Sequence, residues 1–269
     1  NPSATGYSQT DEFGANAVWV NYEAVYHFSE DPAVGITDMT ANNRDLAQAV
    51  GAGATSSGQI GTAYDTTALN TMLEDPTWTW QAGDSLVSSG LYYMENTDTG
   101  ALWQFGNGNG SNNGTYLAFM PNYDNTNRGR HFFGITSGAD YVVSPYASTE
   151  WHHFTTIGRP GLGESNEIFE DDTLQDTVNQ IATSINPTNT GLKIGRYQTG
   201  TYSDFLVDEL RFTTVIPTAG WRSAEYSNLT NAAGFYATSS GPTETFNVTT
   251  DGVPATFWLF SEGTGLVYG

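Results

Sequence analysis

Apolar positions in this chain recur at every second residue over short runs, and seldom at the three-and-four spacing of a helix. Runs rich in aromatic and β-branched residues occupy 22–28, 91–94, 101–105, 115–120, 131–135, 141–143, 151–157, 192–196 and 205–212, with later ones at 244–248 and 255–260. Clusters of Gly, Asn, Asp and Thr separate them at 96–100, 106–114, 122–129 and 186–191. Short strands punctuated this way predict an all-β fold, an antiparallel β-sandwich of jelly-roll type with two sheets face to face. One helix is predicted near 218–229, with Thr218 as its N-cap and Trp221, Ala224 and Tyr226 toward the sandwich. A weaker helical pattern covers 41–50, and the Gly/Ala/Ser stretch at 51–58 reads as a flexible loop.

Three segments follow from the punctuation. Residues 1–16 form an N-terminal extension, 17–240 the sandwich, and 241–269 a terminal strand segment or the start of a further module. An aromatic run enters Phe-Ser-Glu at both 28–30 and 260–262, which keeps both readings of the tail open. A stranded half-module would leave a sheet edge in need of a partner strand. The chain opens on Asn1 without a charged-then-apolar leader, which implies a processed product or part of a longer one.

Charge narrows the function classes. Eight Lys and Arg against 29 Asp and Glu leave a formal net charge of −21. Such a surface repels nucleic-acid phosphates and anionic membrane faces, and attracts divalent cations. No apolar run is long enough for a membrane span. The absence of cysteine removes disulfides, thiolate nucleophiles and zinc–thiolate centres together.

Catalytic patterns are poor. Paired carboxylates on one strand would mark a retaining glycosidase, because alternate residues share a face and the two acids must sit about 5–5.5 Å apart. The nearest approach is the run from Glu167 to Asp172, where alternation puts Glu167 and Phe169 on one face and Glu170 on the other. The four histidines, His27, His131, His152 and His153, show no metal-binding spacing, and no nucleophile elbow occurs. His152 and His153 are adjacent in a strand, so one points inward and one outward. Triplets at Asn113, Asn228 and Asn247 fit the glycosylation pattern, a weak signal in a chain rich in Asn and Thr.

Several stretches, in order, resemble the laminin-G-like branch of the concanavalin A-like lectin and glucanase superfamily. They are the entry strand at 17–30 with the Asp-rich turn at 38–45, and the Gly-x-Ile-Gly-x-Ala turn at 58–63. The Trp-led strand at 151–156, the strands at 192–195 and 205–212, and Trp221 with Phe235 and Tyr236 complete the order. One departure is the absence of an Asp-Gly hairpin after the Trp strand, where Asn166 to Asp172 stand instead. The resemblance implies a structural Ca2+ held by Asp208, with partners from the loop near Glu30 and Asp38. It also implies carbohydrate binding, for which Trp78, Trp80, Tyr92, Trp103 and Tyr123 are candidate sugar platforms. The function expected is a non-catalytic extracellular binding or adhesion module on a cell or virion surface, with a glycan or surface polysaccharide as partner. The alternative is a decoration, fibre or filament subunit acting through self-association or a scaffold protein; a glycoside hydrolase is the least supported reading. Neither nucleic acid nor membrane insertion is expected.

Overall fold

The computed structural model describes residues 10, 15–51, 53–67, 71–81, 83–94, 100–106, 117–120, 149–161, 163–179, 191–196 and 204–231, and the backbone alone of 129–133, 141–144, 197 and 201–202. The segment boundary near 240, the 241–269 segment, Tyr123, Asn113 and Asn247 lie outside the described residues.

The strands, in chain order, are β1 (Ala24–Tyr26), β2 (Ala47–Val50), β3 (Ala54–Ser57), β4 (Thr62–Asp65), β5 (Met72–Asp75), β6 (Leu86–Met94), β7 (Trp103–Phe105), β8 (Leu117–Met120), β9 (Gly129–Phe133), β10 (Tyr141–Ser144), β11 (Trp151–Gly158), β12 (Ser165–Glu170), β13 (Thr173–Asn179), β14 (Leu192–Ile194), β15 (Arg196–Tyr197), β16 (Thr201–Tyr202) and β17 (Phe205–Thr213). Two helices accompany them, α1 (Ala15–Val18) and α2 (Ala219–Thr230). Among the described residues the first sheet runs β13-β12-β11-β6-β17-β4-β3, with β1 also on β17. The second runs β10-β9-β8-β7-β14-β5-β2, and every pairing is antiparallel. The expected all-β sandwich is therefore what the chain adopts.

Alternation explains the packing. On β6 and β11 the residues Leu86, Tyr92, Met94 and Phe154 enter the core between the sheets, while Val87 and Ile157 form a separate small cluster with Phe169 on the outer face. Aromatic rings fill the interior: Phe119 stacks on Phe154 with centroids 4.5 Å apart, and Phe105, Trp78 and Phe212 meet edge to face. Such pairs add stability beyond the area they bury.

β17 breaks its own alternation. Phe205 and Val207 face the core, and so do Leu210 and Phe212, so the phase slips by one at Asp208 and Glu209. The register on β6 jumps there too, and Glu209 takes a positive φ of 55°. This is a β-bulge. It lies where the edge partner of β17 changes from β4 to β1. Gly90 on β6 makes room: a Cβ there would sit 3.1 Å from Glu209 O and Leu210 Cα.

Two local expectations are corrected. Within 41–50 there is no helix, because Leu46 bridges Ile36 and Ala47–Val50 pairs with β5. Within 51–58, Ala54–Ser57 is an edge strand on β4 rather than a flexible loop. The helix expected near 218–229 is α2. Thr218 caps it as read, accepting from Trp221 N at 3.2 Å. Replacing Thr218 with Ala should cost about 1 kcal/mol, checked by urea unfolding; an unchanged midpoint would show that the cap contributes nothing.

Candidate functional site

Of the five ring platforms read from the sequence, the four among the described residues face the wrong way for a ligand. Trp78 and Trp80 are 3% exposed, Tyr92 1% and Trp103 0%, all within the core. Trp78 is closed further by the Arg44 guanidinium, 4.3 Å from its ring centroid. Hydrophobic burial outweighs display here: each ring packs on other aromatics between the sheets and presents no face to a sugar.

The three acids expected around Ca2+ are likewise not brought together. Asp38 is buried and its oxygens are taken by the loop: Oδ1 accepts from Val25 N and Thr40 N, and Oδ2 from Thr40 Oγ1 and Arg44 N, at 2.7 to 3.0 Å. It holds the 38–45 turn against β1. Glu30 lies in a separate partly exposed loop, where Ser29 Oγ approaches it at 3.5 Å. Asp208 lies under the β3–β4 turn and accepts from Ile60 N through Oδ2 at 2.9 Å, while Oδ1 is buried without a hydrogen-bond partner. Ca2+ needs about six to eight convergent oxygens. Among the described residues these three carboxylates do not cluster, and Asp38 has no lone pairs to spare.

A cavity of about 260 Å³ opens instead on the outer face of the first sheet. Its floor is Val87 and Ser89 of β6, Thr155 of β11 and Thr213 of β17, residues whose alternation turns them away from the core. One wall is the approach to α2, with Val215, Ile216, Pro217 and Trp221; the other is Val18 with Asn21 and Tyr22. The rim is apolar and exposed: Val18 at 51%, Val215 at 52%, Ile216 at 40% and Trp221 at 56%. Of the rings meant to face the sandwich, Trp221 thus turns outward. Tyr226 does face inward, 5.9 Å from the His153 ring.

Beneath this mouth runs a buried polar chain. Glu225 Oε1 accepts from Ser89 Oγ at 2.9 Å and from Arg211 Nη1 at 2.7 Å. Arg211 Nη2 donates to Glu209 Oε2 at 2.9 Å, and Glu209 Oε1 lies 2.7 Å from His27 Nδ1. Burial alone would raise the Glu209 carboxyl, but the His27 and Arg211 contacts hold it below its ordinary value. Burial works against the Arg211 charge, yet Glu225 and Glu209 push its pKa upward, so it stays cationic. Burial raises the Tyr22 phenol, and the Glu225 charge adds to that. The result is a mouth with one exposed indole, hydroxyls and an amide on floor and wall, and an anchored carboxylate.

The sequence reading missed this site. Its signal was weak but present: Trp221 and Glu225 are four apart on one helix, so they share a face. His152 and His153 divide as expected, His153 buried toward α2 with its pKa lowered by that burial, His152 inward beside Tyr92 at 5.6 Å. His131 lies on β9. Glu167 pairs with Arg159 at 2.9 Å, whereas Glu170 accepts from Tyr92 inside the sandwich, so the two acids do not face one another across a cleft.

No protein-family model and no curated protein sequence matches the chain. Solved structures do. Domain 4 of AbnA, a GH43 extracellular arabinanase from Geobacillus stearothermophilus solved in complex with arabinotriose, superposes with a TM-score of 0.58 at 15% identity, covering 76% of this chain and 97% of that domain. The binding domain of Paraclostridial Mosquitocidal Protein 1 gives 0.58 at 11% identity over 80% of this chain and 53% of its own. The botulinum neurotoxin serotype G binding domain gives 0.58 at 10%, over 77% and 50%. The chain therefore spans nearly the whole arabinanase domain and about half of each of the other two binding domains. The neighbours share its β-sandwich. At these identities they establish the fold, and they do not place the chain in the concanavalin A-like or laminin-G-like family.

Proposed function

We propose that the chain is a non-catalytic, extracellular carbohydrate-binding module whose ligand enters the outer-face cavity beside Trp221. The carrying observation is the indole itself, more than half exposed at the mouth of a cavity floored by hydroxyls and Glu225. A sugar offers an apolar ring face and a girdle of hydroxyls, and this mouth offers a π-face with convergent donors and acceptors. The fold neighbour crystallised with arabinotriose supports the reading by analogy of architecture. With a net charge of −21 and a carboxylate at the floor, the ligand is a neutral glycan and not an acidic one.

Trp221→Ala is the test. Being exposed, Trp221 contributes little to folding, so stability should stay within about 0.5 kcal/mol. Affinity for neutral polysaccharide, by affinity electrophoresis or calorimetry, should fall at least about tenfold, the loss of roughly 1.4 kcal/mol from one anchoring ring. Unaltered binding would move the site elsewhere.

The apolar rim favours a second reading, a self-associating structural subunit. Val18, Val215, Ile216 and Trp221 together resemble the centre of a protein interface. Concentration-dependent association that disappears in Trp221→Ala, without glycan binding, would select it.

A further inference from the structure

On the opposite face of the same sheet, three metal-ligating side chains converge. His152, Glu170 and Asp171 each offer one ligand atom, and all three atoms lie within 4.8 Å of one another. His152 Nδ1 is 2.8 Å from Asp171 Oδ2 and 3.3 Å from Glu170 Oε1. We propose that these three residues bind a divalent transition-metal ion of the Zn2+ class, with the fourth coordination position left to water.

The donor spacing fits that class. Ligands about 2.0–2.1 Å from a tetrahedral ion stand roughly 3.3 Å apart, close to the 2.8 and 3.3 Å that separate His152 Nδ1 from the two carboxylate oxygens. One imidazole with two carboxylates suits Zn2+, and it is a poor set for Ca2+, which takes oxygens alone and more of them. Three protein ligands and one open position is the arrangement of accessible zinc centres.

The surroundings hold two of the donors in place. Asp171 Oδ1 accepts from His153 N at 3.0 Å, which turns Oδ2 toward the imidazole. Tyr92 donates to Glu170 Oε1 at 3.3 Å. Outer contacts of this kind orient first ligands and raise affinity. Asp171 is 37% exposed at its side chain while Glu170 is 7%, so an ion has a way in from the Asp171 side. The charge balance also favours a cation, since two carboxylates share one imidazole.

The hairpin chemistry agrees. β12 and β13 join through Asp171 and Asp172, both at positive φ, 50° and 58°. A two-residue turn of this shape is ordinarily Asn-Gly, Asp-Gly or Gly-Gly. Asp171 suits the first position, and Asp172 stands where glycine is the usual choice. The ion would clasp the hairpin to β11, and on binding it displaces the proton that His152 Nδ1 shares with Asp171.

The test uses the full chain stripped of metal with a chelator, then titrated with Zn2+, Co2+ or Ca2+. Expected are one Zn2+ per chain by calorimetry, a rise in Tm, and a Co2+ visible spectrum of the tetrahedral kind. His152→Ala should weaken Zn2+ binding more than about 100-fold. Asp171→Asn, which tolerates the positive φ and can still accept from His153 N, serves if the first variant folds poorly; it should also bind much more weakly. Many weak equivalent sites indifferent to either substitution would be surface acids collecting cations, and would overturn the proposal. So would Ca2+ competing with Zn2+ on equal terms.

Discussion

Arg211→Ala should destabilise the protein by about 3–5 kcal/mol, the usual cost of removing one partner from a buried ion pair. The side chain is only 9% exposed, and it bridges Glu209 and Glu225, which are 7% and 6% exposed. Without it both carboxylates stay inside with too little compensation: Glu209 keeps His27, and Glu225 keeps only the Ser89 hydroxyl among the contacts described above. The loss should appear as a fall in Tm of roughly 10 °C for a chain of this size. Arg211→Lys separates charge from geometry. A single ammonium cannot reproduce the fork that reaches two acids at 2.7 and 2.9 Å, so it should recover only part of the stability. A third variant, Arg211→Met with Glu209→Gln and Glu225→Gln, removes the buried charges together and should be markedly more stable than Arg211→Ala. If Arg211→Ala unfolded with the unsubstituted protein, the network would be ornamental. The same substitutions bear on function, because Glu225 is the carboxylate at the cavity floor and Arg211 sets its position.

The strands that were legible in the sequence were those with unambiguous alternation and large side chains. The runs at 91–94, 101–105, 151–157, 192–196 and 205–212 became β6, β7, β11, β14 and β17, because aromatic and β-branched residues at every second position have one good way to be buried. Strands without that signature were missed. Ala54–Ser57 is small and polar because it lies at a sheet edge, where one side meets water, and nothing in Ala-Thr-Ser-Ser distinguishes it from a loop. Ala47–Val50 read as helix since Ala and Gln favour helix in isolation, and the pairing with β5 overrode that preference.

The sites were harder. Period-two reasoning says that a ring is on a face, but not whether the face is covered. Trp78, Trp80, Tyr92 and Trp103 were candidates for display and all became core. Trp221, expected toward the sandwich, is the exposed one, because α2 lays Glu225 and Leu229 against the sheet and leaves Trp221 at the rim of the cavity. The bulge at Asp208 and Glu209 was invisible for a similar reason. Phe-Leu-Val-Asp-Glu-Leu-Arg-Phe alternates acceptably on either phase, and only the switch of edge strand from β4 to β1 fixes where the phase slips. Glu170 and Asp171 are neighbours in the chain, but His152 stands 19 residues before Asp171 and meets them only across the β11–β12 pair, so no motif announces the three.

Asp208 should make stability fall as pH rises through neutrality, the reverse of an ordinary native carboxylate. Its side chain is fully buried at the bulge, and burial pushes its pKa from 3.8 up to about 7; the Ile60 N–H works against the rise and the neighbouring Glu209 charge adds to it. The folded value thus exceeds the unfolded one. The protonated acid is the form the fold prefers, so its contribution is complete below pH 4 or so and is lost as pH climbs through about 7. Three units of difference correspond to about 4 kcal/mol at most. Asp208→Asn holds the neutral shape at every pH: its amide oxygen accepts from Ile60 N as Oδ2 does, and the glycine turn leaves no room for a larger residue, since a Cβ on Gly58 would lie 2.6 Å from Oδ2. Urea unfolding at pH 5 and pH 8 should therefore show the variant more stable at both, with its advantage growing by about 2–3 kcal/mol from the lower pH to the higher. Because self-repulsion among the surface acids is nearly common to both proteins, the difference between their profiles isolates this one group. Parallel profiles would mean that Asp208 ionises inside the fold without penalty, and that its buried oxygen has found a partner such as a bound cation.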